Sequence, residues 1–428
     1  MKKGCSLEQP FLLQFHKEMN QPAELTLNAL TYGGDSIGRL EDGRAVFVPF
    51  GIPGEKVRIE ITEDKKSFIK GKILDIITPS PKRIQGKCAH FLSCGGCHYQ
   101  HLAIEDQLEF KQQIITDQLT RLGGFTNPPV LKIRPSPAAW NYRNSLQFHL
   151  SPRGRIGFRG VNPREIIEIH ECHLPLAGIN ETWPLLDFEP GSPIDRIELR
   201  EGIEEELLLH LRSKTAQTPE IQLNIPISIV MDTSEIKQVV AGAEWLFMEV
   251  NQRKFRVSAG SFFQVNKPLA GEMVNYVLGN LDLTSDSSVL DLYCGVGLFS
   301  AFLATEAKSC IGIENSPSAC EDFIFNLDQF ENVQLYEGSV EDILPHLDLK
   351  TEIVIADPPR SGIDKKALDA ILAIKPKQIA YVSCDPATLA RDLKILATNG
   401  YSIHSVQPFD LFPQTYHIET ITILNWNR

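Results

Sequence analysis

Ser288-Val-Leu-Asp291-Leu-Tyr-Cys-Gly295-Val-Gly297-Leu-Phe-Ser300 starts as a short apolar run, ends that run on an aspartate, crosses two glycines and enters a helix-forming stretch. Glycines at a strand-to-helix turn allow left-handed backbone and a close approach to a ligand. Reading downstream, residues 309–314, 333–336, 353–356 and 378–383 are further buried-type strands, separated by helical stretches such as 317–330. The alternation predicts a doubly wound α/β domain over 255–428. Residues 401–407 and 417–424 read as two more strands forming an antiparallel pair at one side of its sheet. In open sheets of this type ligands bind outside the carboxyl ends of the strands. Asp291, Glu314, Asp357 and Cys384 all fall at such ends.

The residues also constrain the ligand. A dinucleotide loop would carry a third glycine where Ser300 stands, and Asp291 would repel a pyrophosphate but suit a cation. Glu314 closes the next strand, where an acid can accept hydrogen bonds from ribose hydroxyls. Cys384, in Tyr381-Val-Ser-Cys-Asp-Pro386, follows a strand end and is a candidate nucleophile; the alternative is an inert core thiol. Taken without further information, Glu419 reads as a strand-edge surface carboxylate.

Upstream, short alternating runs at 25–30, 45–49, 56–62 and 68–78, separated by Gly turns, predict a small β-barrel over 20–80. Residues 81–254 form a central segment with a Cys/His/Gly stretch, an amphipathic helix at 104–122 stopped by Gly123-Gly124, and a β-rich remainder. The chain has 428 residues, 43% of them hydrophobic, enough for two to four domains. No run approaches the ~18 apolar residues of a membrane helix, so a cytoplasmic protein is expected. Net charge is −12, yet residues 1–170 hold 23 Lys+Arg against 17 Asp+Glu, and the remainder 19 against 37. That asymmetry fits a polyanion-binding part joined to an acidic one, or simply a solvated basic face. Nine cysteines without an export signal point to reduced thiols. Cys88-x5-Cys94-Gly-Gly-Cys97, with Cys172 in His170-Glu-Cys-His173, supplies four sulfurs suited to zinc or an iron–sulfur cluster; zinc ribbons carry two paired C-x2-C knuckles and this chain has one. His90, His98 and His101 read as solvated or hydrogen-bonded side chains and not as ligands.

Asp-x-x-x-Gly-x-Gly at 291–297 resembles the first motif of class I S-adenosylmethionine-dependent methyltransferases. Ser261-Phe-Phe-Gln-Val-Asn266, Asp357-Pro-Pro-Arg-Ser-Gly362, Ser383-Cys-Asp-Pro-Ala-Thr-Leu-Ala-Arg-Asp392 and Phe412-Pro-Gln-Thr-Tyr-His-Ile-Glu419 extend the likeness along nearly the whole chain. Together the five motifs resemble the RNA uracil-5-methyltransferases, which make 5-methyluridine in transfer and ribosomal RNA. The resemblance implies a class I (Rossmann-like) methyltransferase domain in which Cys384 adds to carbon 6 of uracil and Glu419 removes the proton from carbon 5. It implies cofactor contacts at Gln264, Tyr293, Glu314, Ser339 and Asp357, with Asp291, Gly295 and Gly297 shaping the loop. Leu298 departs from the family pattern, which has a polar residue there in ribosomal members. Arg360 after the prolines suits phosphate or a uracil oxygen, and Arg143 in Trp140-Asn-Tyr-Arg-Asn144 could fill the space of a flipped base.

The cysteine spacing is similar to that of members carrying a four-iron, four-sulfur (4Fe-4S) cluster; a radical enzyme would use C-x3-C-x2-C with three ligands. Gly33-Gly-Asp-Ser-Ile-Gly-Arg39 and Val48-Pro-Phe-Gly-Ile-Pro-Gly54 resemble the TRAM module, an OB-like RNA-binding barrel. The expectation is therefore a monomeric, cytoplasmic enzyme with a TRAM barrel, a central iron–sulfur domain and a methyltransferase domain, acting on 23S ribosomal RNA. The same reaction on transfer RNA, a non-catalytic iron–sulfur RNA-binding protein and a cytosine-5 methyltransferase are the alternatives.

Overall fold

Inward-facing side chains on five short strands build the first layer of the structure. In the computed structural model, which describes residues 22–216 and 225–427, β1 (Ala23–Leu30), β2 (Asp35–Arg39), β3 (Ala45–Pro49), β4 (Lys56–Asp64) and β5 (Phe68–Thr78) close a barrel in the order β1-β2-β3-β5-β4. Leu25, Leu27, Val46, Val48, Val57, Ile59 and Ile69 fill it. Strand β2 went unread because its inward residues are Ser36 and Gly38, which carry no apolar signal. Gly38 is required there: a Cβ would lie 2.5 Å from Leu25 Cδ1 and 2.6 Å from the Thr26 carbonyl oxygen. Buried Glu55 closes the barrel, accepting from Ile52 N, Ser80 N and Arg83 Nε at 2.9, 3.1 and 2.6 Å.

The chain divides into two compact units. The first comprises the barrel segment up to Lys87, Cys97–Phe110 and the short stretch Gln414–Tyr416. Within it Gln107, fully buried, donates from Nε2 to Tyr99 O, Leu102 O and Gln414 Oε1, and accepts from Gln414 N at 2.9 Å. Gln414 has a left-handed backbone, φ 70°, and its carbonyl accepts from His98 N and Tyr99 N. Tyr416 meets Tyr32 and His98 edge-to-face.

Helix α1 (Ile104–Gln118) runs into a π-helical turn at Leu119–Gly123 and stops at Gly124, φ 76°. Its apolar stripe contains Lys111, whose fully buried ammonium lies 2.5 Å from Asp410 Oδ1 and 3.0 Å from Phe412 O.

The second unit holds two sheets and a hairpin. β6 (Ser145–Leu150), β7 (Ile156–Arg159), β8 (Ile166–Glu168), β9 (Ile194–Glu201), β10 (Leu207–Ser213), β11 (Ser228–Asp232) and β12 (Lys237–Ala241) form a central sheet, order β12-β11-β10-β9-β6-β7-β8. The hairpin β13 (Trp245–Val250) and β14 (Arg253–Ser258) follows. The last sheet contains β15 (Ser288–Leu292), β16 (Ser309–Glu314), β17 (Val333–Glu337), β18 (Ile353–Ala356), β19 (Gln378–Ser383), β20 (Tyr401–Phe409) and β21 (Glu419–Trp426), in the order β17-β16-β15-β18-β19-β21-β20. Its first five strands are parallel; β21 runs antiparallel to β19 and β20 to β21. Leu208 and Val230 of the central sheet and Phe255 and Val257 of the hairpin join the same buried cluster as Val289, Ile355 and Val382, so these layers share one core. Strand order reverses between β15 and β18, which opens a crevice at their carboxyl ends. Among the described residues, no helix is long and apolar enough to cross a membrane.

Candidate active site

Four strand ends deliver the acidic groups and the thiol expected from the sequence. Asp291 lies in β15, Glu314 ends β16, Asp357 follows β18 and Cys384 follows β19. Asp291 accepts from Ser300 N and Ser300 Oγ at 3.1 and 2.6 Å through Oδ2, while its buried Oδ1 has no hydrogen-bond partner. Burial first, then the charge of Glu314, pushes its pKa up to about 7. Asp357 is likewise pushed up to about 7, by burial first and then by Asp291 and Glu314. Glu314 receives Gly295 N, Asn315 N and Ser316 N at 2.9, 2.9 and 2.7 Å, which fixes the glycine loop to the end of β16.

Gly295 and Gly297 have φ of 53° and 88°, and Tyr293 between them and Asp291 shares the left-handed region at 60°. A Cβ on Gly295 would meet nothing, so the loop leaves open space there; one on Gly297 would lie 2.4 Å from Leu327. Leu298 is a buried core residue. Gln264 is buried, its carbonyl accepting from Asn144 Nδ2 at 3.0 Å. Ser339 uses its hydroxyl on Asp342 Oδ2, 2.8 Å away, at the start of the short helix Val340–Ile343. An unpaired buried carboxylate oxygen, two carboxyls whose charge is suppressed and an open glycine loop fit a cationic nucleoside such as S-adenosylmethionine.

The last pair of the β19–β21 ladder is Ser383 with Thr420, and Cys384 and Glu419 each adjoin it in sequence. Glu419 is 7% exposed, not a surface carboxylate, and its pKa rises well above the ordinary value through burial and the charge of Asp357, opposed by Arg360. The Cys384 thiol is pushed up to about 12 by burial, then by Glu419 and Asp357, with Arg360 pulling the other way. Thiol, two carboxyls and a guanidinium therefore share one electrostatic environment. Burial first, and then the neighbouring acidic groups, hold the resting thiol protonated. Arg360 is exposed and its Nη2 lies 3.4 Å from the His417 ring.

Asp385 caps α2 (Pro386–Thr398), accepting from Ala387 N and Thr388 N, and so orients the turn that carries Cys384. Arg143 is stacked over Phe412 and Tyr142, with centroid distances of 5.4 and 5.9 Å. Sequence reasoning overlooked Phe262, which stands 67% exposed two residues before Gln264. It also overlooked Asp322, a buried carboxylate receiving Arg256 Nε, Ser258 N, Ser258 Oγ and Ser261 Oγ, each at 2.7 Å.

Cys88, Cys94, Cys97 and Cys172 are all half-buried. Hydrogen bonds from Ala89 N to Glu171 Oε1 and from His170 N to His90 Nε2 tie the Cys88 segment to the Cys172 segment. Burial, and then the charges of Cys94 and Cys88, pushes the Cys172 thiol up to about 11. His90 N and Gly96 N donate to the sulfurs of Cys88 and Cys94, both at 3.4 Å. Among the described residues, no group of three or more His, Cys, Asp or Glu side chains is arranged to hold a metal ion.

A family model described as tRNA (Uracil-5-)-methyltransferase matches residues 213–427. The chain belongs to the RNA uracil-5-methyltransferase family. A TRAM domain model matches residues 18–74, and the barrel is that module. An uncharacterized RNA methyltransferase of Aquifex aeolicus is 34% identical over 95% of this chain and 99% of its own length. One of Halalkalibacterium halodurans is 33% identical over 95% and 97%. Among solved structures, the tRNA (uracil-54, C5)-methyltransferase of Pyrococcus abyssi in complex with S-adenosyl-L-homocysteine has a TM-score of 0.73 at 26% identity, covering 94% of this chain and all of its own. As an RNA uracil-5-methyltransferase, the chain is an S-adenosylmethionine-dependent enzyme with an RNA substrate.

Proposed function

We propose that this uracil-5-methyltransferase works through a covalent bond between Cys384 and its RNA, with Glu419 as the base, and that 23S ribosomal RNA is the substrate. The observation that carries this reading is the place of Cys384 and Glu419 next to the last β19–β21 pair, with Glu419, Asp357 and Arg360 all acting electrostatically on the thiol. The Cys384 thiol gives up its proton to solvent, its sulfur bonds to carbon 6 of uracil, and the electrons of the 5,6 double bond move through carbon 5 onto the oxygen of the carbon 4 carbonyl. S-adenosylmethionine, held by Gln264, Tyr293, Glu314, Ser339, Asp357 and the glycine loop, would supply an electrophilic methyl group to carbon 5 and leave as S-adenosylhomocysteine. Glu419 then takes the proton from carbon 5, and the sulfur leaves as the double bond re-forms. A carboxylate with a strongly raised pKa is a strong proton acceptor once ionised, which suits that step. Arg360 offers the positive charge that offsets Asp357 and Glu419 at the thiol. Arg143 serves RNA contact beside the site.

Residues 20–80 bind RNA, 81–254 carry a four-iron, four-sulfur cluster on Cys88, Cys94, Cys97 and Cys172, and 255–428 perform methyl transfer in the cytoplasm. Four cysteine sulfurs, two of them receiving backbone N–H donors, suit such a cluster chemically. A brown protein with iron and sulfide in equal amounts is expected; a colourless one holding zinc would overturn this part.

Cys384→Ala should abolish methylation while S-adenosylmethionine still binds, and Glu419→Gln should accumulate an RNA–protein complex stable to detergent. Retained methyl transfer by Cys384→Ala would sink the covalent route. Transfer RNA is a second reading, favoured by the Pyrococcus abyssi neighbour, which acts on tRNA. Mass mapping of both RNA classes from a deletion strain decides between them.

A further inference from the structure

We propose that a pocket of about 270 Å³ lined by Asn266 and Glu201 is a second base-binding site, taking an unpaired nucleobase that carries an exocyclic amine and neighbours the methylated uridine in the same RNA. The inference rests on the RNA-modifying reading above. Pro137, Ala138, Met248 and Pro268 give the pocket apolar walls suited to a ring. Its size lies just under the ~300–1,000 Å³ of sites that enclose larger ligands, which suits one base rather than a whole cofactor.

The polar groups select the chemistry. Asn266 is fully buried and donates from Nδ2 to Ser136 Oγ at 2.9 Å and to Leu411 O at 3.1 Å. A carbonyl oxygen only accepts, so this edge of the amide must be its NH₂ group. Oδ1 is left as a buried acceptor with no hydrogen-bond partner, a group that gains on meeting a donor. Glu201 adds a second acceptor; its Oε2 already receives Ile179 N at 3.1 Å. The lining acids Glu201 and Glu249 disfavour phosphate, and the one lining cation, Lys267, lies 3.6 Å from Glu249. A neutral ring bearing an amine satisfies acceptors of this kind.

The pocket shares a wall with the loop that carries Gln264. Asn144 lines it and donates to Gln264 O from Nδ2 and to Val265 O from its backbone N, at 3.0 and 3.1 Å. A nucleotide adjoining the target uridine is therefore the occupant that the position favours.

The experiment uses the full-length enzyme, S-adenosylmethionine and a transcript spanning the uridine it methylates. Inosine replaces each nearby adenosine or guanosine, and uridine each cytidine, one position at a time. At one position the wild type should lose about tenfold or more in kcat/KM, the scale of one lost hydrogen bond to a buried acceptor. Ala138→Phe fills the pocket from its exposed lip. It should lower kcat/KM for the parent transcript by a similar factor, lose the sensitivity to that base change, and keep the wild-type KM for S-adenosylmethionine. Ile203→Trp, on another part of the wall, repeats the test should Ala138→Phe fail to fold. A wild type indifferent to every amine removal, or filled variants with unchanged kcat/KM on the parent RNA, would overturn the pocket. A wild type that methylates no uridine at all would instead overturn the reading on which it rests.

Discussion

Asp291 and Asp357 sit near half-ionisation at pH 7, and that sets how the site meets a sulfonium. Their pKa values are raised above the ordinary 3.8, so the ligand-free folded protein binds more protons than the unfolded chain between about pH 4 and 7. Stability from these two groups is therefore present at low pH and is lost as pH rises to about 7. A cationic ligand prefers the ionised pair, so the sign is opposite for binding. Affinity for S-adenosylmethionine should climb between pH 5.5 and 8, by up to about tenfold per unit per group below pH 7. S-adenosylhomocysteine, a neutral thioether, should show a flatter profile by calorimetry. Equal profiles for both ligands would contradict this assignment. The identities of these carboxyls could be read from the sequence, since strand ends and a glycine loop place them. The elevated Cys384 thiol could not, because it depends on burial and on Glu419, 35 residues downstream across a register that no local pattern encodes. Lys111 was a readable warning: a charged residue on an apolar helix stripe demands a buried partner, though nothing local names Asp410.

Elements built on strong apolar periodicity were legible, and those built on small or polar inward residues were not. The parallel strands β15, β16, β18 and β19 announce themselves by continuous apolar runs, whereas β2 hides behind Ser36 and Gly38. The cap of α2 was visible as Asp385-Pro386 but its consequence lies in the turn before it. Asp385→Ala should cost about 0.5–2 kcal/mol in denaturant melts and lower kcat, because it frees the turn holding Cys384, with the affinity for S-adenosylmethionine preserved. Loss of affinity in step with kcat would refute that division. Asp322 grips the loop before Gln264 through three hydrogen bonds and an ion pair to Arg256. Asp322→Ala should destabilise the protein by about 3–5 kcal/mol, leaving Arg256 without its partner. A melt within 1 kcal/mol of wild type, an estimate well below that range, would show the clamp to be dispensable.

Across the whole molecule, the net charge of −12 conceals an N-terminal 170 residues that are net positive by six. Phosphate contacts made there should give an RNA KM that rises steeply with salt while the KM for S-adenosylmethionine barely moves. A flat salt dependence would argue that the basic surplus is mere solvated surface. The composition made this asymmetry plain, but not the assembly of the first unit from three separated stretches, which rests on contacts between residues far apart in sequence. Gln107 and Gln414 exchange their hydrogen bonds across 307 positions of sequence. During synthesis, then, the amino-terminal unit waits for its last structural partner until residues 414–416 have emerged, beginning 307 positions after Gln107 of its helical segment. The barrel core can form early from its own strands, and a ribosome stalled before residue 414 should present a unit whose buried Gln107 amide still lacks its far partner.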